Sequence, residues 1–592
     1  MINIWNMKKS VLVMIWTAAV MAMVSCDVVE GFILGSDAVP WRQDDEIVLS
    51  AMAADVEYAF TAREAWSVVS TDTGILTIAS AASGQRGRNS ITLRMAENST
   101  GAERRANVVI TVDGYEPEVL VSVVQSNTRN EDFDVIAQKI DPVLSQMYLW
   151  NDEYNTLSPD FDQTFDGFLE NTLLSMKSNG EDGGVRVAAD GTQSRYLYSY
   201  IRRSPRGSGS RSVIAKSPVV SFGIVNSALV MLLNQSGGDS GNRACCISGV
   251  YAGSAAAKAG IRRGSWIVAI DGRNLTAANI NDAYSQLMSP AAGESVKLTV
   301  TDDLAGTNRR DITITAGSLA LNPVLHAEVI ETQAAKVGYL VYDSFDASFD
   351  DELLAEIRKF RNAGIDELVL DLRLNNGGHV ISAQMLSSII AGNSGTGKVC
   401  MKYEYNPSRM KDMGYAFPDK TDETLFGPYE GGSKYSSSDY LSLQRVWVLV
   451  TGSTASASEL TFWSLRGIDF PVTLIGARTE GKNVGMEPQD FTYGNYDYTF
   501  YPITFRIYNA KNQSSDPSGV EPDYAASDWL TTGYADWGAG EDEMLAKALS
   551  LISGGSRAVT ADSEQKSRTE SAARLIAVPQ RMGGGMIATP AE

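Results

Sequence analysis

Three serines lie close together in the segment STASASELTFWSLRG, at Ser453, Ser456 and Ser458. The segment follows the apolar run RVWVLVTG, which predicts a buried strand, and it leads into a pattern that predicts a helix. A serine hydroxyl is a weak nucleophile unless a neighbouring base removes its proton during attack. The first question is therefore which serine reacts and which side chain serves as its base.

Few side chains could serve as that base. The histidines are His326 and His379, and neither lies in a recognisable triad motif, although His379 follows the loop LNNGG. Lys482, in ARTEGKNVGM, is the other candidate, because a lysine amine kept neutral by burial can accept a proton. Lowering its pKa from near 10.4 to roughly 7–8 takes about 4 kcal/mol, which requires a site shielded from water. On spacing alone, Lys482 could equally be a solvated loop residue.

The surrounding elements predict an α/β domain over residues 318–553. VGYLVYDSF, DELVLDLR, RVWVLVTG and VTLIG read as apolar strands, and DELLAEIRKFRNAG reads as an amphipathic helix that ends at Gly364. Strands that alternate with helices indicate a layered α/β arrangement. Residues 554–592 are rich in Gly, Ser and Ala, and this composition predicts a disordered tail.

The chain before this domain predicts further modules. Residues 46–126 contain alternating and β-branched runs separated by turns, which indicate a small all-β sandwich. Residues 127–217 are predicted to be a helical segment with a linker: residues 130–201 carry apolar residues at spacings of three and four, and the linker-like stretch RRSPRGSGSRS follows at 202–212. With 592 residues the chain is too long for one core, so several domains are expected.

The N-terminus predicts export. Two lysines precede a short apolar run, so residues 1–25 are interpreted as a signal peptide. The ending MVSC resembles a lipobox, which implies that Cys26 carries a lipid and that residues 26–45 form a linker from the membrane. This predicts a lipid-anchored protein of the cell envelope, on its periplasmic face or at the cell surface. The alternative is ordinary signal cleavage, which would leave Cys26 as a plain thiol.

Charge and cysteine usage exclude several functions. A net charge of −21 repels phosphate backbones and anionic lipid headgroups, so we expect no nucleic-acid partner. Cys245 and Cys246 are neighbours, which makes a disulfide between them unfavourable. No metal-ligand spacing accompanies the cysteines, and the sequence implies neither a metal nor an organic cofactor.

Taken together, the motifs LVLDLRLNNGG, STASASELTFWSLRG and LIGARTEGK resemble those of the C-terminal processing peptidases, also called tail-specific proteases, in the same order. The resemblance covers about residues 132–548. It implies that Ser456 is the nucleophile and that Lys482, 26 residues later, is the base. The helix start after Ser456 favours oxyanion donors at the amide of Ala457 and at Gly377 or Gly378. Met486 stands where the family often has a glutamine that positions the lysine.

Residues 218–317 resemble a PDZ domain, most specifically in AAKAGIRRGSWIVAIDG. Such a domain adds a peptide to a sheet edge and binds its carboxylate with loop amides. The candidate peptide-binding residues are Phe222, Gly223 and Ile224. The alternative is a domain that packs internally and binds no peptide.

The N-terminal sandwich resembles BACON-type domains, through AWSVVS, LTI, SGQRG and VVQS. That family is often supposed to bind carbohydrate, so a glycan contact is one implied role. We favour a rigid spacer, because an aromatic residue common before LTI is absent and Trp66 is predicted to be a core residue.

These observations predict an exported serine endopeptidase that cleaves polypeptides near their C-termini by a Ser–Lys dyad, with PDZ-assisted substrate capture. The alternative is a non-catalytic surface lipoprotein that binds glycans or peptides on a peptidase-like scaffold. Hydrolysis of a non-peptide acyl substrate is a third possibility.

Overall fold

The fold is described from a computed structural model. The structure describes residues 33–554, 573–577 and 586–587. The first range has gaps at 35–37, 43–45, 50–53, 97, 99, 101, 126–130, 162–164, 188–192, 206–215, 217, 234–238, 304–307, 429–433, 494–495 and 531. The predicted signal peptide and Cys26 lie outside the described residues. The chain forms two compact units, one from the residues up to Gln138 with Asp160–Phe168, the other from Lys139–Pro159 and from Leu169 onward.

The first unit contains a β-sandwich over the predicted residues 46–126, and two short strands from residues 26–45, the stretch predicted to be a linker, also join one of its sheets. Its strands are β1 Ile33–Leu34, β2 Trp41–Arg42, β3 Glu46–Leu49, β4 Ala54–Ala62, β5 Trp66–Ser70, β6 Leu76–Ile78, β7 Ser83–Gly84, β8 Gly87–Met95, β9 Arg104–Val112 and β10 Glu118–Gln125. They form two five-stranded sheets, in the orders β1-β2-β4-β8-β6 and β3-β10-β9-β5-β7. Trp66 lies in the core between the sheets, with its ring edge-on to Phe60. The prediction that Trp66 is a core residue is confirmed.

The segment predicted to be helical is only partly so. Its elements are α1 Glu131–Met147, α2 Asn151–Tyr154, α3 Phe165–Ser175, β11 Gly184–Val187, β12 Gln193–Tyr196 and β13 Tyr200–Pro205. The helical prediction for residues near 184–201 is therefore wrong. These residues instead form β-strands, because β11 pairs with β12 and β13 pairs with a strand some 300 positions later. Long-range pairing of this kind leaves no local signal in the sequence.

The segment that resembles a PDZ domain is a sheet with two helices. Its elements are β14 Val219–Ser221, β15 Ile224–Leu233, β16 Asp239–Val250, α4 Ala255–Lys258, β17 Trp266–Ile270, β18 Arg273–Asn274, α5 Ile280–Met288, β19 Ser295–Thr301, β20 Arg310–Thr315 and β21 Gly317–Leu319. Strands β20, β19, β17, β16 and β15 lie side by side in that order, and β14 pairs with β21. Leu275, Ile280 and Leu287 are among the residues of its own buried core.

The α/β domain has the predicted layers. Its elements are β22 Val324–Glu331, β23 Lys336–Tyr342, α6 Asp350–Ala363, β24 Glu367–Asp371, α7 Val380–Ala391, β25 Val399–Tyr405, α8 Pro407–Asp412, β26 Asp422–Leu425, β27 Val446–Val450, α9 Ala457–Gly467, β28 Val472–Gly476, β29 Val484–Met486, β30 Gln489–Tyr493, β31 Tyr496–Tyr501, β32 Ile503–Tyr508, β33 Tyr524–Ala525 and α10 Glu543–Ile552. Helix α6 ends at Gly364, whose left-handed φ of 66° matches the predicted stop.

The central sheet has the order β22-β23-β24-β27-β28-β33 and is parallel from β23 onward. Helices α6, α7 and α9 pack on one face, and α10 packs on the other. A parallel sheet covered on both faces explains why its strands read as continuous apolar runs. Among the described residues, no helix is long and apolar enough to cross a membrane.

Two further strands lie beyond α10, in the part of the chain predicted to be a disordered tail. They are β34 Ala573–Ala577 and β35 Met586–Ile587. β34 extends the PDZ-like sheet beside β15, whereas β35 extends the sheet β26-β25-β32-β29. The prediction of disorder over residues 554–592 is therefore wrong for these strands, because each pairs with the edge of an existing sheet.

Candidate active site

Three loops converge at the carboxyl ends of neighbouring parallel strands. The glycine loop, residues 372–379, follows β24, the serine turn, residues 451–456, follows β27, and the lysine loop, residues 477–483, follows β28. These strands are adjacent in the sheet, so the loops meet although they are far apart in sequence. Open α/β sheets bind their ligands at this edge.

Ser456 occupies a tight turn between β27 and α9. Its φ of 62° and ψ of −117° are strained for a residue with a side chain, and the residue is fully buried. Among the described residues, Ser456 Oγ has no hydrogen-bond partner. A strained turn that holds a buried hydroxyl without a partner is typical of a nucleophile.

The glycine loop touches the serine turn at Gly377. A Cβ atom at this position would lie 2.7 Å from Ser456 Cβ and 3.0 Å from the Ala457 nitrogen. Gly377 also has a φ of 107°, so only glycine fits without strain. The Gly377 amide donates to Asn375 Oδ1 at 2.9 Å, which removes it as an oxyanion donor.

Two other amides remain available as oxyanion donors. Among the described residues, the N–H groups of Ala457 and Gly378 make no hydrogen bond. The Ala457 amide is the first of helix α9, where the helix dipole favours negative charge. Of the two glycines predicted as oxyanion donors, Gly378 is therefore the better candidate. Gly377 instead packs closely against the serine turn.

Lys482 is enclosed by protein, with only 2% of the residue exposed. Burial lowers the pKa of its amine from 10.5 to about 8, against the opposing effect of the carboxylates of Asp182, Glu480 and Glu459. Its Nζ lies 4.3 Å from the centroid of the Tyr198 ring. A substantial fraction of the amine is therefore neutral near pH 8, as a general base requires.

Glu459 joins the serine turn to the lysine loop. Its Oε2 accepts hydrogen bonds from the backbone N–H groups of Ser456 and Lys482, both at 2.9 Å. Its Oε1 accepts from Thr479 Oγ1 at 2.6 Å and from the Gly481 amide at 3.0 Å. Burial raises the pKa of Glu459 to about 7 although these four donors oppose the shift. One buried carboxylate thus fixes both backbone segments of the candidate dyad.

A segment from outside the α/β domain encloses the lysine. Tyr196 and Tyr198 both donate to Glu480 Oε1, the second at 3.1 Å. The buried Asp182 fixes this segment by accepting from the Tyr198 amide at 3.0 Å and from the Ser199 amide at 2.8 Å. Asp182, Tyr198 and Glu480 are not predicted from the sequence, because nothing in the local pattern links residues nearly 300 positions apart.

Neither histidine contacts the candidate nucleophile. His379 Nδ1 lies 3.2 Å from the Ala347 nitrogen and 3.1 Å from the Phe345 carbonyl oxygen, and burial lowers its pKa. His326 lies on β22, with Nε2 3.2 Å from Glu328 Oε1. Since Ser456 Oγ has no hydrogen-bond partner among the described residues, neither a Ser–His nor a Ser–Lys hydrogen bond is formed in this state. Catalytic hydrogen bonds often tighten only when substrate binds.

The other two serines support the turn. Ser458 Oγ donates to the Asn375 carbonyl at 2.9 Å and so ties α9 to the glycine loop. The Ser453 amide donates to Thr451 Oγ1 at 3.1 Å within the turn.

Met486 is buried on β29, where a methionine offers no strong hydrogen bond to Lys482.

The candidate peptide-binding residues lie at the start of β15. Phe222 and Ile224 are buried, and Gly223 has a φ of 87°. A Cβ at Gly223 would lie 2.0 Å from Ser254 Cβ, so the loop requires glycine there. The Gly223 amide donates to Ser221 Oγ at 2.8 Å, which leaves it unavailable for a peptide carboxylate.

A buried ion network connects the PDZ-like segment to the glycine loop. Asp528 contacts both Arg263, in the PDZ-like segment, and Arg373, in the glycine loop, the latter at 2.5 Å. Arg373 also pairs with Asp371 at 2.8 Å and with Asp542 at 2.9 Å. Burial opposes ionisation of Asp528, but the two guanidinium groups outweigh it and lower its pKa.

Comparison with known proteins agrees with this arrangement. Residues 336–526 match the family model of peptidase family S41, and residues 246–302 match that of the PDZ domain. A carboxyl-terminal-processing protease of Picosynechococcus is 35% identical over 126 residues, 21% of this chain and 30% of the relative. A protein of the same name from Synechocystis is 24% identical over 307 residues, 51% of this chain and 64% of the relative. The chain thus spans less than two thirds of either relative.

A crystal structure of an S41 protease homologue from Bacteroides fragilis is also similar. It is 26% identical, superposes with a TM-score of 0.55, and covers 70% of this chain and 97% of its own. These similarities support a serine-type peptidase. The protein is multidomain, with an S41 peptidase domain, a PDZ domain and a β-rich N-terminal region.

Proposed function

We propose that the protein is an exported serine endopeptidase in which Ser456 and Lys482 form the catalytic dyad. The observation that carries the proposal is the shared contact of both residues with Glu459, beside an amine whose pKa burial lowers to about 8. A buried serine hydroxyl and a buried, partly neutral amine, whose backbone segments are held by one carboxylate, support a lysine-activated serine.

The reaction is peptide-bond hydrolysis through an acyl-enzyme. Ser456 Oγ attacks the carbonyl carbon while Lys482 Nζ takes the hydroxyl proton, and the amides of Ala457 and Gly378 stabilise the oxyanion. Lys482 then gives its proton to the leaving amine as the C–N bond breaks. Water, deprotonated by Lys482, attacks the ester carbonyl, and Lys482 returns this proton to Ser456 Oγ as the C–Oγ bond breaks and the N-terminal product leaves as a carboxylic acid.

The proposed substrates are polypeptides cut near their C-termini. The two relatives are named for carboxyl-terminal processing. In the proposal, the PDZ domain binds the substrate at the start of β15, near Phe222 and Ile224, by adding it as a strand.

The proposal also includes export and a lipid anchor at Cys26. It rests on the charged, apolar and small-residue order of the first 26 residues. The N-terminal sandwich serves as a spacer between membrane and enzyme. Labelling cells with an alkyne fatty acid tests the anchor: the wild-type protein gains the label and Cys26→Ala does not.

A cleavage assay tests the dyad. We expect labelled casein to be cleaved by the wild-type protein and by Ser453→Ala, but not by Ser456→Ala or Lys482→Ala. Ser453 is the matched control because it lies in the same turn and only its backbone contributes a hydrogen bond. Cleavage that persists in both Ser456→Ala and Lys482→Ala would exclude this mechanism.

A non-catalytic peptide-binding protein is the second candidate. The presence of Met486, which offers Lys482 no strong hydrogen bond, favours it. In that case the wild-type protein would bind casein peptides with the same affinity as Ser456→Ala, and neither would release new termini detectable by mass spectrometry.

A further inference from the structure

The chain adds one of its own segments to two sheet edges that serve the proposed site. Strand β34 pairs antiparallel with β15, with Leu575 opposite Val230 and Ala577 opposite Leu229. Strand β35 pairs in parallel with β29, with Met586 opposite Gly485 and Ile587 opposite Met486. Both contacts are backbone pairings of an extended segment, which is how a peptide is bound by β-strand addition.

The first pairing has the direction expected of a bound peptide. β15 begins directly after the Phe222–Gly223 loop, and β16 occupies its other edge. Because β34 is antiparallel to β15, its residues approach that loop as their numbers increase, from Ala573 opposite Leu232 to Ala577 opposite Leu229. A PDZ ligand runs the same way, with its C-terminal end toward the loop.

The second pairing lies beside the catalytic lysine. β29 begins at Val484, two residues after Lys482, and without β35 it would be the last strand of its sheet. Ala577 and Met586 are nine positions apart, so the two edges are within about 30 Å of each other. One extended polypeptide can therefore occupy both edges.

We propose that strands β34 and β35 are intramolecular competitors that occupy two edges on the substrate path, β34 at the PDZ edge beside β15 and β35 at the edge beside β29. The proposal rests on the proposed peptidase function, because it identifies these edges with the path of the substrate. A tethered strand acts at an effective concentration in the millimolar range, so a substrate must displace it. Competition of this kind raises KM and leaves kcat unchanged.

The test compares three variants with the wild-type chain on labelled casein. The first ends after Gly554. The second carries Arg574→Pro with Leu575→Pro, which removes neighbouring N–H groups, one of which faces β15. The third, a matched control, carries prolines at Lys566 and Ser567, upstream of β34. We expect KM to fall at least about threefold in the first two forms, with kcat unchanged and the control like wild type.

A peptide of residues 571–589 added to the shortened chain should inhibit competitively and restore the higher KM. Equal KM values in the shortened and full chains, both active, would overturn the proposal.

Hydrogen exchange in the Ser456→Ala variant tests whether β34 and β35 occupy the edges of β15 and β29, without any substrate turnover. Removing the residues after Gly554 should speed exchange of amides in β15 and β29 at least about tenfold, because paired edge amides become exposed to water. Unchanged exchange in both strands would overturn the proposal even if the peptidase is active. If no form cleaves casein but exchange speeds up, the occupancy stands and the peptidase function fails.

Discussion

The backbone amides of Ser456 and Lys482 share one acceptor, Oε2 of Glu459, at 2.9 Å from each. The relative position of the proposed nucleophile and the proposed base is therefore set through the main chain rather than through a hydrogen bond between their side chains. In the proposed mechanism Glu459 is a positioning residue, because it acts on the dyad through the backbone amides of Ser456 and Lys482.

Replacing Glu459 with Gln should impair catalysis more than binding. A glutamine retains the shape but presents an NH₂ group to at least one of four donors, so the turn or the lysine loop must shift. We expect kcat to fall about 10- to 100-fold, KM to change less than about threefold, and the pH at half-maximal kcat/KM to move. Gln384→Glu, a buried polar change away from the three loops, controls for general destabilisation. An unaltered kcat in Glu459→Gln would contradict the positioning role.

Activity should rise with pH through about 8. The amine of Lys482 must be neutral to accept the serine proton, and burial lowers its pKa to about 8. The acidic limb of kcat/KM should therefore have its midpoint near this pH, with a tenfold loss for each pH unit below it. The profile is measured with a fluorogenic peptide between pH 5 and 10. A midpoint near 6.5 would instead indicate a histidine base.

Lys482→Met should stabilise the inactive protein below pH 8. At such pH the lysine is charged in both the folded and the unfolded chain, and its burial costs about 3 kcal/mol. Removing it should raise Tm by about 3–6 °C at pH 7. Between pH 8 and 10.5 the folded wild-type protein releases its proton before the unfolded chain does, so wild-type stability rises and the difference shrinks. A Tm difference independent of pH would contradict burial of the charged amine.

Tyr198 should control the access of water to the Lys482 amine. Its ring lies 4.3 Å from Nζ, and its hydroxyl donates to Glu480. Tyr198→Ala should admit water, relieve the desolvation of Lys482 and shift the acidic limb upward by about one pH unit. Tyr198→Phe retains the ring and should shift the limb by less than half as much. Identical limbs in the alanine variant and the wild type would show that the ring does not exclude water from the amine.

Gly377→Ala should abolish activity. The new Cβ would lie 2.7 Å from Ser456 Cβ, and the φ of 107° already disfavours a side chain. We expect at least about a 100-fold loss of kcat/KM from displacement of the serine turn. Gly397→Ala is the matched control, because Gly397 also has a positive φ, 79°, yet its Cβ would meet open space. Equal losses of kcat/KM in both variants would show that backbone strain alone causes the effect.

The sequence predicted the parts of the site that depend on local pattern. Ser456 and Lys482 were placed at loops after apolar strands, and the structure brings both loops to one edge of the sheet. The S-x-x-E spacing from Ser456 to Glu459 is a helix-start pattern, and its carboxylate could have been noticed on that ground. The proposed roles of Ala457 and Gly378 remain predictions, while the choice between the two glycines needed the bond from Gly377 to Asn375.

The rest could not be predicted, because it depends on contacts between distant segments. Tyr198 was assigned to a helix, whereas the segment that contains it is fixed by Asp182 and by the pairing of β13 with β31. Strands β34 and β35 were missed since short strands at a sheet edge are defined by their partner and carry little periodicity of their own.

The enclosure of Lys482 under an aromatic ring has a consequence for chemical reactivity. Only a neutral amine in contact with solvent reacts with acylating reagents, whereas other lysines, such as Lys359, extend from the surface. Acetic anhydride should therefore modify Lys482 among the last, at a rate set by how often the Tyr198 segment moves away. The rate at which this one amine is modified would therefore measure how often the Tyr198 segment moves away from Lys482.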